Sequence, residues 1–143
     1  MLAEVFRIVK PNGAVVLQVP NIDCWQFRMF GAKWYGLDIP RHVIDYSKDA
    51  MLKLLDESGF RPERVKDFNL RDNAPALASS LFPSLDPVSR AVRQQKSGVN
   101  EAVPMAWMRH LAYLFMVVCA YPIAIAESMS GRGATVMIEA RKQ

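Results

Sequence analysis

Cysteine and histidine are scarce in this sequence, and the scarcity narrows its chemistry first. Cys24 and Cys119 lie far apart and have no metal-ligand partners at recognisable spacing. Free thiols in a reducing compartment are expected, with no disulfide and no metal site. Long basic runs are also lacking. The formal charge of +4 is scattered among Lys and Arg with carboxylates between them, so nucleic-acid binding is not expected. Glu4, Arg7 and Lys10 interrupt the only candidate for a secretory leader, which makes the cytoplasm the expected location. Internal repeats and a second domain boundary are not legible, and residues 1–143 read as part of one domain.

What is present is globular in composition: 51% of residues are apolar and 22% are charged, too apolar for a disordered chain. Leu2, Val5, Phe6 and Val9 fall on one helical face. Lys10-Pro11-Asn12-Gly13 stops that helix, because proline cannot continue it and glycine supplies a left-handed turn. Ala14 to Val19 follows with one polar residue, Gln18. So apolar a strand is expected to be buried on both faces, as inside a parallel sheet. Pro20-Asn21-Ile22-Asp23 then leaves the strand at its carboxyl end, where open α/β sheets hold ligands.

Trp25 to Gly36 is an aromatic block with Arg28 and Lys33 among the rings. It reads either as a short helix and turn packed on the sheet or as the wall of a ligand pocket. Ser47 is a good helix N-cap, and the helix it starts runs to about Ser58 before Gly59 and Phe60. Phe60 to Leu70 reads as a strand, with Pro62 and its charges pointing to an edge. From Arg71 to Pro104 four prolines break the pattern into loops and short helical pieces, with Ala91 to Ser97 polar and mobile. Met105 to Met129 is mostly apolar. Its uncharged run, Leu111 to Ala126, is shorter than the ~20 residues that span a bilayer. A buried or capping helix, a helix against a membrane surface or a partner, and a membrane span are the three readings, in that order. Ala134 to Ala140 is a regular closing strand.

Several of these stretches are familiar together. Glu4 to Gly13, with the apolar strand and Val19-Pro20-Asn21 after it, resembles the "E-x-x-R-v-L-K-P-G-G" helix and fifth strand of class I S-adenosylmethionine-dependent methyltransferases. Trp34-Tyr35-Gly36, Pro40-Arg41-His42, Tyr46-Ser47 and Leu54-Leu55 to Gly59-Phe60 resemble a subgroup of that superfamily. Its stretch reads much like "W-x-G-x-x-x-P-x-H-x-x-x-F/Y-S/T" before "L-L-x-x-x-G-F". Gly131 to Lys142 is similar to its closing strand. Asn12 stands where the family usually has glycine, and asparagine also tolerates positive φ.

The resemblance implies an α/β fold, a partial Rossmann-like methyltransferase sheet made of its last three strands in the order 5-7-6. Val65 to Leu70 would be the sixth strand, and the final strand would lie antiparallel between the other two. Residues 71–132 would form a helical insertion. It also implies S-adenosylmethionine as cofactor, yet the glycine-rich turn and the ribose-binding acid belong to the first half of such a sheet, and no G-x-G-x-G occurs here. The only G-x-G, Gly131 and Gly133, reads as a turn. The chain is therefore expected to be a carboxyl-terminal, acceptor-side half, with no cofactor-binding residues of its own and inactive alone. The acceptor would be a small-molecule hydroxyl or amine. His42 is the candidate base, since its ordinary pKa suits neutral operation, or else a loop histidine. Asn21, Trp34, Tyr35, Arg41 and Tyr46 are candidate substrate-binding residues. The alternative is a non-catalytic module that meets a membrane or a partner through the apolar helix 111–126, with peripheral membrane contact or self-association through residues 105–129.

Overall fold

The computed structural model describes residues 1–37, 44–98 and 102–143. In chain order it contains α1 (Leu2–Ile8), β1 (Ala14–Pro20), α2 (Trp25–Phe30) and two single-turn 3-10 segments (Gly31–Lys33 and Tyr35–Leu37). These are followed by α3 (Lys48–Glu57), β2 (Phe60–Lys66), α4 (Asn73–Leu81), α5 (Pro87–Ser97), α6 (Val103–Met129) and β3 (Thr135–Lys142). The strands form one sheet in the order β1-β3-β2. β3 is antiparallel to both neighbours, with Leu17 opposite Ile138 on one side and Val65 opposite Ile138 on the other. The expected mixed α/β class and the central, antiparallel closing strand are both present.

One face of the sheet carries the core. Val136, Ile138 and Ala140 of β3 are buried with Met51 and Leu55 of α3 and Phe60 of β2, and Phe6 of α1 packs against them. Alternation in β3 puts every second side chain into this layer. Phe6 and Phe60 meet edge to face, 5.4 Å between ring centroids. Lys142 Nζ lies 4.2 Å from the Phe6 ring centre and donates to the Phe6 and Val9 carbonyls, capping the carboxyl end of α1. The α3 helix starts at Ser47, whose hydroxyl accepts from the Ala50 N–H. It ends before Gly59, at φ +83°, where only a residue without Cβ turns left-handed without cost.

The expectation for β1 needs correction. It is not buried on both faces: Val15, Leu17 and Val19 are half-buried over the core, whereas Ala14, Val16 and Gln18 are exposed. β1 is also an edge strand, paired with β3 alone.

The sixth-strand reading of Val65 to Leu70 is corrected too, because β2 stops at Lys66. The Asp67 carbonyl leaves the ladder and accepts from Ser128 Oγ and Asn73 Nδ2. A Cβ at Gly133 would sit 1.6 Å from the same oxygen, so the crossing there requires glycine.

The expected short helical pieces are α4 and α5, joined by a loop, but Ala91 to Ser97, read as a polar mobile stretch, is the second half of α5. Prolines misled the sequence reading. Pro75, Pro87 and Pro104 all lie in first helical turns, where the missing N–H has no helical partner to lose. Asp86 caps α5 through the Ser89 N–H, and Gly98 closes it at φ +66°. α6 packs its small side chains, Ala120 and Ala124, against Ala74, Leu77 and Ala78 of α4. Residues of that size let the two backbones approach closely.

Candidate functional site

A cleft of about 490 Å³ opens at the carboxyl end of β1. Its floor is Gln18, Val19 and Pro20 with Ala134 and Thr135 of the adjoining β3 end, and Trp34 and Tyr35 form one wall. The first turns of α4 and α5 supply Asp72 and Asp86, and α6 supplies Tyr113. Of the strand-exit loop Pro20 to Asp23, expected to meet a ligand, only Pro20 lines the cleft.

The aromatic wall is held from behind by a buried polar seam. Trp34 is 2% exposed. Its ring N–H donates to Gln26 Oε1 at 3.2 Å and its face meets Phe27 edge-on. Gln26 in turn donates its backbone N–H and its Nε2 to the two oxygens of Glu127, at 2.9 and 2.8 Å. Glu127 is 1% exposed, and burial pushes its carboxyl above the ordinary range although the Gln26 donors pull the other way. Asn73 extends the seam by binding Asp67 O and Ser128 Oγ. Every side-chain partner of Glu127 in this seam is neutral, and its role is to tie α2 to the end of α6. Both readings of the aromatic block are therefore partly met: Trp34 is core on one side and cleft wall on the other.

The opposite wall holds a proton-bearing chain. Ser79 Oγ donates to Asp86 Oδ1 at 2.9 Å. With its one hydrogen so used, Ser79 accepts from the Tyr113 hydroxyl, 3.0 Å away. Asp86 Oδ2 accepts from the Ser89 N–H at 2.6 Å. Burial, with the Asp86 charge second to the Ser79 hydrogen bond that opposes it, raises the Tyr113 pKa. On the β1 side, Gln18 Nε2 donates to Asp72 Oδ2 at 2.6 Å. The cleft thus offers aromatic faces and acceptor oxygens, a surface suited to a ring-bearing molecule with –OH or –NH groups to donate.

The candidate residues divide sharply. Trp34 and Tyr35 line the cleft. Asn21 does not: it is 2% exposed, donating Nδ2 to Gly133 O and accepting at Oδ1 from the Asp23 and Lys48 N–H groups. Its amide ties three chain segments and is buried outside the cleft lining. Tyr46 bridges to Asn21 through the backbone and lines a separate cavity of about 220 Å³ beside Leu17, Met51 and Leu54. Arg41 and His42 lie outside the described residues. Asp72, Asp86 and Tyr113 were missed, and Asp86-Pro87 carried a usable signal, an N-cap before a first-turn proline.

Cys24 is fully buried and caps α2 by accepting from the Phe27 N–H at Sγ. Burial pushes its thiol up to about 12, so it is no nucleophile at neutral pH. Cys24 and Cys119 are both free. Among the described residues no cluster of three His, Cys, Asp or Glu could hold a metal ion. No protein-family model matches the chain, and neither does any curated protein.

Proposed function

We propose that this chain is the acceptor-side half of a class I S-adenosylmethionine-dependent methyltransferase, receiving a small molecule whose hydroxyl or amine is methylated. The observation that carries the reading is the joint placement of two features. The closing strand lies antiparallel between β1 and β2, in the order the resemblance implies, and a walled cleft lies at the carboxyl end of β1. Tyr35 would stack on the acceptor with the buried Trp34 bracing that wall, and the oxygens of Asp72 and Tyr113 would orient its –OH or –NH. His42 remains the proposed base, a role that contributes typically 10²–10⁴-fold where it operates.

The residues present do not fit the cofactor. Asn21, a strand-end amide that could have met it, is buried and ties three chain segments together. The Gly131–Gly133 turn is closed by the Asp67 carbonyl. The cofactor cradle would have to come from a segment lying along β1, whose free edge adjoins the cleft.

The DNA upstream of the Met1 codon tests this reading. An in-frame glycine-rich turn after an apolar strand is expected, and a reading frame without one sinks the proposal. Calorimetric titration of these 143 residues with S-adenosylmethionine is expected to show no binding, and micromolar affinity would overturn the division of labour.

A further inference from the structure

The longest helix of the molecule has two unlike faces. Tyr113, Val117, Ala120, Ala124 and Glu127 of α6 point inward, mostly small and packed on α4 and the seam. Trp107, Leu111, Leu114, Val118, Ile125 and Met129 recur every three or four residues on the opposite side, or seven where Pro122 stands between. The first four of these are between 57% and 66% exposed. At 1.5 Å per residue the stripe runs about 33 Å. Its exposed area is on the order of 700 Å², larger than the roughly 300–600 Å² of the largest patch on a typical monomer. By length and composition α6 could cross a membrane, but its inner face is sealed by α4 and by the buried Glu127.

We infer that α6 docks this face into an anionic lipid bilayer, lying along the interface with the sheet outside. Three observations favour lipid over a protein partner. From Leu111 to Ala126 no side chain on the stripe offers a strong hydrogen bond, because the two tyrosines in the run bond inward, to Ser79 and to the Leu70 carbonyl. A protein interface of this size would carry several hydrogen bonds. Charged flanking positions that register one helix on another are also missing. The exposed charges of α6 and of the turn that follows it are both cations, Arg109 and Arg132, since Glu127 is buried. At the Trp107 end, α5 adds the exposed Arg93 and Lys96 and no carboxylate, while the buried Arg90 holds its Nη2 3.3 Å from the His110 ring. Such a cationic surface complements anionic headgroups. An interfacial helix sinks one face about 5–10 Å into the boundary, a depth these side chains can supply while α4 stays outside.

The inference goes beyond the methyltransferase reading and does not need it, since lipid binding involves neither cofactor nor acceptor. Co-sedimentation with phosphatidylglycerol–phosphatidylcholine vesicles tests it, with pure phosphatidylcholine as the second arm. The protein is expected to pellet with the anionic vesicles, and roughly tenfold less with the neutral ones. Brominated acyl chains are expected to quench its fluorescence, and Trp107→Phe to remove most of that quenching. Leu111→Glu with Val118→Glu, both at exposed positions, is expected to lower binding at least about tenfold. Failure to pellet, quenching that Trp107→Phe leaves intact, or full binding by the double variant would overturn the proposal. A dimer in solution that this variant splits, with no vesicle binding by the parent, would assign the face to a second copy instead.

Discussion

The two edges of the sheet are built on opposite plans. β2 carries Arg61, Glu63, Arg64 and Lys66, a proline at position 62, and a register shift between Pro62 and Arg64. Charge, proline and a bulge each discourage another strand from pairing. β1 carries no charge from Ala14 to Pro20. Its hydrogen bonds show which groups are open. The Gly13 carbonyl accepts from Lys142 N, and Asn21 N donates to Ala134 O. Odd-numbered residues of β1 therefore face β3, and Ala14, Val16 and Gln18 present N–H and C=O outward. Beyond them the tip is covered, since Ile22 N donates to Tyr46 O. One edge is finished as a boundary. The other has the composition of an interior strand and three open residues.

Pairing is where the contrast has its largest expected effect. The chain is expected to self-associate through β1 at micromolar concentration, and Val16→Lys to raise the dissociation constant at least about tenfold by placing a charge in the open edge. Sedimentation equilibrium reads both. A monodisperse monomer for the parent chain would break the comparison, because it would show the uncharged edge to be as inert as the charged one.

Stability comes next, because β2 is closed by sequence on its outside and anchored by one ring on its inside. Phe60 is fully buried against Phe6 and Leu55. Phe60→Ala is expected to cost about 3–5 kcal/mol in urea unfolding, the range for deleting a buried aromatic side chain. A loss under about 1 kcal/mol would mean that the site collapses or that β2 is held by its backbone ladder alone.

The same contrast explains what the sequence could reveal. Ser47, Gly59 and Phe60 specify locally where α3 starts, where it ends and where β2 begins, and the structure uses all three as read. The apolar run of β1 suggested an interior strand, yet β1 pairs with β3 alone and the face that carries Val16 is exposed, because apolar type alone does not tell an edge strand from a central one. In the helical segment, proline at a helix start and proline as a helix breaker look alike until the cap before it is noticed, as at Asp86-Pro87. The cleft was half legible for a similar reason. Trp34 and Tyr35 advertise themselves by type, whereas Asp86 and Tyr113 become neighbours only when α4, α5 and α6 pack. Asn21 was misjudged because its position at a strand end says nothing of the three segments that claim its amide.

The smallest expected effect separates two purposes for the charges on β2. Glu63 Oε1 accepts from Arg141 Nε at 2.8 Å, and Oε2 from Nη2 at 3.1 Å. The Arg141 hydrogen bonds hold the Glu63 carboxyl below its usual range, and the charges of Arg141 and Arg61 add to that. A depressed carboxylate pKa adds stability above the unfolded value of 4.5 and loses it as pH falls through the folded one. Both groups are well exposed, so solvent and salt screen the pair. Glu63→Gln is expected to leave the urea midpoint at pH 7 nearly unchanged, with the small difference from the parent closing as the pH drops below 4.5. If the charges of β2 serve mainly to repel another strand, as the contrast with β1 argues, this variant should stay folded yet associate slightly more. A large loss of stability would instead make the ion pair structural and leave the bulge and Pro62 as the guards of that edge.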